Sequence, residues 1–124
     1  MSTEALILFA HGARDPEWAE PMRRVCAAVC EQAPQMRVEL AFLEFMQPDL
    51  RACAESLVAD GVERVLVLPM FIARGGHLKR DVPLLLEELQ QRNPHARFEL
   101  AAAVGEAESV VQAMARHALA LAGR

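Results

Sequence analysis

Two histidines and a carboxylate are the residues of this sequence best suited to hold a divalent ion, and their spacing is regular. His11, Glu44 and His77 lie 33 residues apart. Each follows an apolar run (Ala5 to Ala10, Arg37 to Leu43, Val62 to Pro69) and precedes a proline, respectively Pro16, Pro48 and Pro83. Neutral imidazole accepts cobalt, nickel, iron and zinc ions, and a nearby carboxylate adds an oxygen ligand or a proton acceptor. Gly12 follows His11 directly and allows a sharp turn or a close approach. His77 stands behind Gly75 and Gly76 in the longest connection, Met70 to Arg80, where a binding residue is favoured over a packing one. Glu44 is set among Phe42, Leu43, Phe45 and Met46, where an unpartnered buried carboxylate would be costly. It is therefore expected either to be exposed or to have a metal or a proton as partner. Arg14, Arg74, Lys79 and Arg80 gather near the same residues and as a set suit a ligand with several carboxylates. His95, after Pro94, and His117, in the last helical stretch, read as solvent-facing.

The elements that must position these residues alternate. Four apolar, strand-like runs (Ala5 to Ala10, Arg37 to Leu43, Val62 to Pro69, Ala96 to Ala103) are separated by helical patterns. The first helix is predicted from Asp15-Pro16 to about Ala33, with Asp15 as cap and Pro16 at the first helical position. The second is predicted from Gln47-Pro48 to Asp60, the third from a cap near Asp81, and the fourth from Glu106 to Leu121. Short connections imply right-handed crossovers and an all-parallel sheet, giving a single three-layer α/β domain over residues 1–124 with helices flanking four strands. If the strand order is 2-1-3-4, strands one and three are neighbours about 4.8 Å apart. The loops carrying His11 and His77 then emerge side by side, with Glu44 on the flank, at the edge where open parallel sheets bind ligands.

Composition narrows the classes of function. The chain has 124 residues, 53% of them hydrophobic, and a formal net charge of −4, so a core forms without staples and a nucleic-acid partner gains nothing from overall charge. No apolar run reaches the ~20 residues of a membrane span, and the start of the chain lacks the basic region and cleavage site of a signal peptide. Three cysteines suit no disulfide framework and favour a reducing compartment, so the expected location is cytoplasmic. Cys26 and Cys30, one helical turn apart, fit half of a metal site. Cys26 nevertheless belongs to an apolar stripe with Trp18, Met22, Val25 and Val29, and Cys53 to one with Leu50, Ala54, Leu57 and Val58, so both read as small core residues.

The segments LFAHGARDP (Leu8 to Pro16) and LPMFIARGGHLKRDVP (Leu68 to Pro83) resemble the motifs of the class II chelatases, in particular the short sirohydrochlorin cobalto- and ferrochelatases. Ala13 stands where that family usually has serine. The resemblance covers nearly the whole chain and implies an ATP-independent lyase that inserts Co²⁺ or Fe²⁺ into sirohydrochlorin, on routes to cobalamin or sirohaem. Ni²⁺ is chemically acceptable to the same ligands, and no nucleotide is involved. It implies His11 and His77 as metal ligands and Glu44 as the acidic residue beside them. Arg14, Met46, Met70, Phe71, Arg74, Gly75 and Gly76 become candidate contacts for the tetrapyrrole, with Ile72 a further apolar candidate. Since longer members carry two such domains, one domain's length implies a homodimer.

Two rival readings share the same site. A non-catalytic metal or tetrapyrrole carrier would use it without turnover. A histidine phosphatase would use His11 as nucleophile, but that family places arginine before the histidine, where this chain has Ala10. A dinucleotide-binding domain is disfavoured because His11-Gly12-Ala13 replaces the glycine-rich turn.

Overall fold

The computed structural model describes residues 3–73 and 75–124, with the side chain of His77 outside the description. Four strands, β1 (Glu4–Ala10), β2 (Arg37–Phe42), β3 (Arg64–Pro69) and β4 (Arg97–Leu100), form one sheet in the order β2-β1-β3-β4. All three pairings are parallel. Such a sheet needs cover on both faces at its centre, which is why β1 and β3 carry apolar residues in succession, whereas the edge strand β4 and the start of β2 alternate polar and apolar residues.

One face is well covered. Ile7, Phe9, Val65 and Val67 point into a core completed by Leu50, Cys53 and Leu57 of α2 (Leu50–Ala59) and by Val82, Leu86 and Leu89 of α3 (Gly76–Arg92). Burying each large side chain there contributes about 1.5–3 kcal/mol before the entropy cost. On the other face α1 (Glu20–Gln32) brings Met22 against Leu40, Phe42 and Ala10. The last helix, α4 (Glu108–Leu121), has as its principal neighbour a 3₁₀ turn at Val104–Glu106, and it does not complete the second layer.

Several boundaries differ from the sequence reading for identifiable reasons. Asp15 does cap, accepting from the Glu17 N–H at 3.0 Å, but the turn it opens is a 3₁₀ helix at Pro16–Ala19 that precedes α1. Pro48 lies ahead of α2, whose cap is Asp49, accepting from the Ala52 N–H at 2.8 Å. Pro83 does not follow a helix start: α3 begins at Gly76 and runs through it, so Asp81 is not a cap. The proline is tolerated on the exposed side of the helix, where the unpaired carbonyl one turn back can be hydrated. Cys53 is buried as expected, whereas Trp18 and Val25 of the anticipated α1 stripe stand 39% and 36% exposed and Cys26 is only half-buried.

Candidate functional site

The carboxyl ends of β1, β2 and β3 converge on one edge, and backbone hydrogen bonds hold their loops together. The Leu43 N–H donates to the Ala10 carbonyl at 2.9 Å, the Glu44 N–H to the His11 carbonyl at 3.0 Å, and the Met70 N–H to the Phe9 carbonyl at 2.7 Å. His11 and Glu44, distant in sequence, are thus stitched side by side by main chain. The order β2-β1-β3 achieves this by placing β1 between the other two.

Gly12 makes that approach possible. Its φ is +86°, and a Cβ at this position would lie 1.9 Å from the Glu44 carbonyl oxygen. Only glycine satisfies both the left-handed backbone and the contact. What the glycine after His11 admits is therefore the neighbouring loop. Gly105 has the same function on the other side: its added Cβ would meet the Ile72 backbone at 2.2–2.6 Å, and its N–H donates to the Phe71 carbonyl at 3.0 Å. The third loop is thereby fixed from beneath.

The His11 side chain is exposed, and its ring packs against Phe71, with centroids 4.2 Å apart and planes tilted by 34°. Phe71 is itself buried and tilts against Phe9, so the exposed imidazole rests on the core. Phe71 serves here as the floor under His11. Glu44 is exposed and carries no burial penalty, which is the first of the two alternatives left open by the sequence. His77 lies in the first turn of α3 rather than in a loop, directly after the exposed Gly75 and Gly76. Arg74 and the His77 side chain lie outside the described residues. Among the described residues no group of three or more histidine, cysteine or acidic side chains is gathered as a metal site.

The other candidates divide by depth. Met46 and Met70 are half-buried against Phe42 and Ala10 on the α1 side. Ile72, Lys79 and Arg80 are exposed, as are His95 and His117. The Arg14 guanidinium lies over the Phe45 ring, 4.9 Å from its centroid, a cation–π arrangement. Sequence reasoning passed over Phe45. It holds a left-handed φ of 68° and projects 57% exposed beside Glu44. A bulky residue in that region is strained and needs its surroundings to hold it, and no local residue pattern signals this. A cleft of about 250 Å³ between α2 and α3 is lined by Leu43 and Leu78, next to Glu44 and His77, and by Asp49, Arg51 and Asp81.

With this geometry in place, the likenesses to known proteins become informative. The family model described as CbiX matches residues 5–120. A sirohydrochlorin cobaltochelatase of Methanococcus aeolicus is 34% identical over 83 residues, covering 67% of this chain and 58% of that protein. This chain therefore spans less than two thirds of that relative's length. A solved CbiX protein from Marinobacter aquaeolei VT8 superposes with a TM-score of 0.84 at 27% identity, covering 98% of each chain. The sirohydrochlorin chelatase SirB from Bacillus subtilis subspecies spizizenii, solved in complex with cobalt, superposes with a TM-score of 0.75 over 91% of this chain and 48% of that one. At 24% identity that last likeness is one of fold.

Proposed function

The chain belongs to the CbiX family, and from that premise we propose that it is a sirohydrochlorin chelatase that inserts Co²⁺ or Fe²⁺ at the edge carrying His11. The observation that carries this reading is the exposed His11 ring braced on Phe71 at 4.2 Å, with the Glu44 loop tied to it through the Glu44 N–H. The name of the Methanococcus relative and the cobalt in the Bacillus structure support the substrate and the metal.

The reaction exchanges two pyrrole N–H protons for one divalent ion. The protein must hold a partly dehydrated ion, present it to the macrocycle, and take up the protons. His11 serves as one ligand and His77, in the first turn of α3, as the second. Two imidazoles without a full closed shell bind moderately, which the task requires because the ion has to leave with the product. Glu44, exposed and adjacent, accepts a proton or completes the ligand set. Phe45 and Ile72 offer apolar surface to the ring, and Arg14 and Arg74 offer positive charge to its peripheral carboxylates. No step draws on a nucleotide. The site operates in a homodimer, two copies supplying the two walls that longer relatives build in one chain. The three free cysteines suit a reducing, cytoplasmic setting.

Anaerobic metal insertion into sirohydrochlorin, followed by absorbance against a protein-free control, tests the reading. Wild type should accelerate insertion, and His11→Ala and His77→Ala should each lose at least tenfold while remaining folded. Rates equal to the control with wild-type protein would leave a carrier as the function.

A further inference from the structure

One pair of side chains with metal-binding chemistry lies apart from the edge that carries His11. Cys26 and Cys30 are four residues apart on α1, a spacing that makes them neighbours on one side of the helix. The sequence pattern reads Cys26 as a small core residue. The structure leaves it half-buried, with its Sγ 4.0 Å from the Val38 carbonyl oxygen, and leaves Cys30 exposed. A hydrogen bond links the two thiols. The pair is thus gathered on one flank of α1, backed by β2 on one side and open to solvent on the other.

Three kinds of thiol chemistry can be weighed on this geometry. A disulfide needs Cβ atoms about 3.5–4.5 Å apart, whereas residues four apart on a helix hold theirs about 5–6 Å apart. Closing the bond would therefore unwind α1. A nucleophile or redox sensor needs a thiol that ionises easily. Here burial, and after it the neighbouring Cys30, push the Cys26 thiol above its ordinary value. An ion held between the two sulfurs meets neither obstacle. With metal–sulfur bonds of about 2.3 Å, a linear sulfur–metal–sulfur unit spans about 4.6 Å, within reach of two thiols that already meet.

The number of ligands selects the ion. Among the described residues no third histidine, cysteine or acidic side chain joins the pair. Zinc in a structural site takes four ligands, and the imidazole and carboxylate of the His11 edge suit cobalt and iron better than two sulfurs do. Cuprous ion is soft, is selected by thiolates, and is content with two of them in a line. Glu39 adds negative charge near Cys26, partly offset by Arg37 at 3.2 Å, and so favours a cation. Val38 precedes the end of β2 at Phe42 by four residues, or about 13 Å along the strand. The pair is separate from the edge bearing His11 and Glu44.

We propose that Cys26 and Cys30 bind one soft monovalent cation of the Cu⁺ class between their two sulfurs. Two S–H bonds are lost and two sulfur–metal bonds form; both protons go to solvent, the metal keeps its oxidation state, and no oxidant is needed. Cys30 provides the entry and Cys26 the half-buried anchor. The site stands independently of the chelatase reading.

Anaerobic titration of the reduced full chain with Cu⁺, held by a competing chromophoric chelator, tests the assignment. Wild type should withdraw one Cu⁺ per chain. Cys26→Ser and Cys30→Ser should each weaken that binding at least tenfold, and Cys53→Ala should leave it unchanged. Ala28→Cys in a Cys30→Ser background restores the number of thiols but sets the new one two residues from Cys26, where the side chains do not face each other. It should not recover the affinity. Co²⁺ should give no sulfur-to-metal charge-transfer absorbance that depends on Cys26. If Cys26→Ser does not fold, the exposed Cys30→Ser decides. No withdrawal of Cu⁺ by wild type, or unchanged affinity in Cys30→Ser, would overturn the site. So would recovery with Ala28→Cys, one Cu⁺ per two chains, or a Co²⁺ band lost in Cys26→Ser. Every readout is taken without tetrapyrrole, so a failure of the chelatase reading leaves this test intact.

Discussion

Replacing Gly12 by alanine should damage the site through the backbone while leaving every candidate ligand in the sequence. Two costs add. A left-handed alanine at φ +86° costs roughly 1–2 kcal/mol. The new Cβ also stands 1.9 Å from the Glu44 carbonyl oxygen, and no side-chain rotation relieves a clash between a Cβ and main chain. The two loops must part by about 1 Å to reach an acceptable contact, which breaks the 3.0 Å bond from the Glu44 N–H to His11 and costs a further ~0.5–1.5 kcal/mol. The expected loss of unfolding free energy is about 1.5–3.5 kcal/mol, read as a lowered urea midpoint at unchanged slope. A displacement of 1 Å at a reacting centre is worth up to ~100-fold in rate, so metal insertion should fall by one to two orders of magnitude. Gly61→Ala supplies the reference. Its φ of +92° is nearly the same, but nothing lies within 4 Å of the added Cβ. It should therefore show the backbone term alone, about 1–2 kcal/mol, with full activity. Equal stability losses in the two variants, or wild-type insertion by Gly12→Ala, would refute the argument that glycine is needed for the approach of the Glu44 loop.

Arg14→Ala and Phe45→Ala should each weaken tetrapyrrole binding, measured by fluorescence titration. Arg14→Ala, an exposed change, should shift stability by only ~0.5 kcal/mol or less; unchanged affinity in both would remove this pair from the binding surface. Asp49→Ala deletes the side-chain cap of α2 and should cost about 1 kcal/mol in urea unfolding, with little effect on the chemistry. Thiol labelling at pH 8 should modify exposed Cys30 first and Cys53 only on unfolding, because burial raises the Cys53 thiol to about 11. As a thiol with a raised folded value, Cys53 favours the folded state below its unfolded value. That contribution is lost as pH climbs toward about 11, so stability should decline across that alkaline range and Cys53→Ala should lessen the decline.

The alternation of strands and helices and the parallel sheet were legible because they depend on local patterns, whereas the order β2-β1-β3-β4 entered the sequence reading only as a condition and is a fact of the assembled sheet. Apolar runs separated by helical periods fix the alternation, and His11, Glu44 and His77 recur at a spacing of 33 residues, although His77 falls within the first turn of α3 and not in a loop like the other two. The beginning of α3 was misplaced because Pro83 resembles a helix opener, although an exposed proline can also be carried within a helix. Three features were decided only by the assembled chain. Gly12 is needed because the Glu44 carbonyl passes beside it, Phe71 is the floor beneath His11 rather than an open surface, and Phe45 is held in a left-handed backbone under Arg14. Each depends on segments distant in sequence meeting at short range, and no residue pattern encodes that meeting. The sequence alone put forward His11, Glu44 and His77 as candidate ligands past the ends of three apolar runs; the folded chain decided what braces His11 and which surfaces remain open, because both depend on contacts between distant segments.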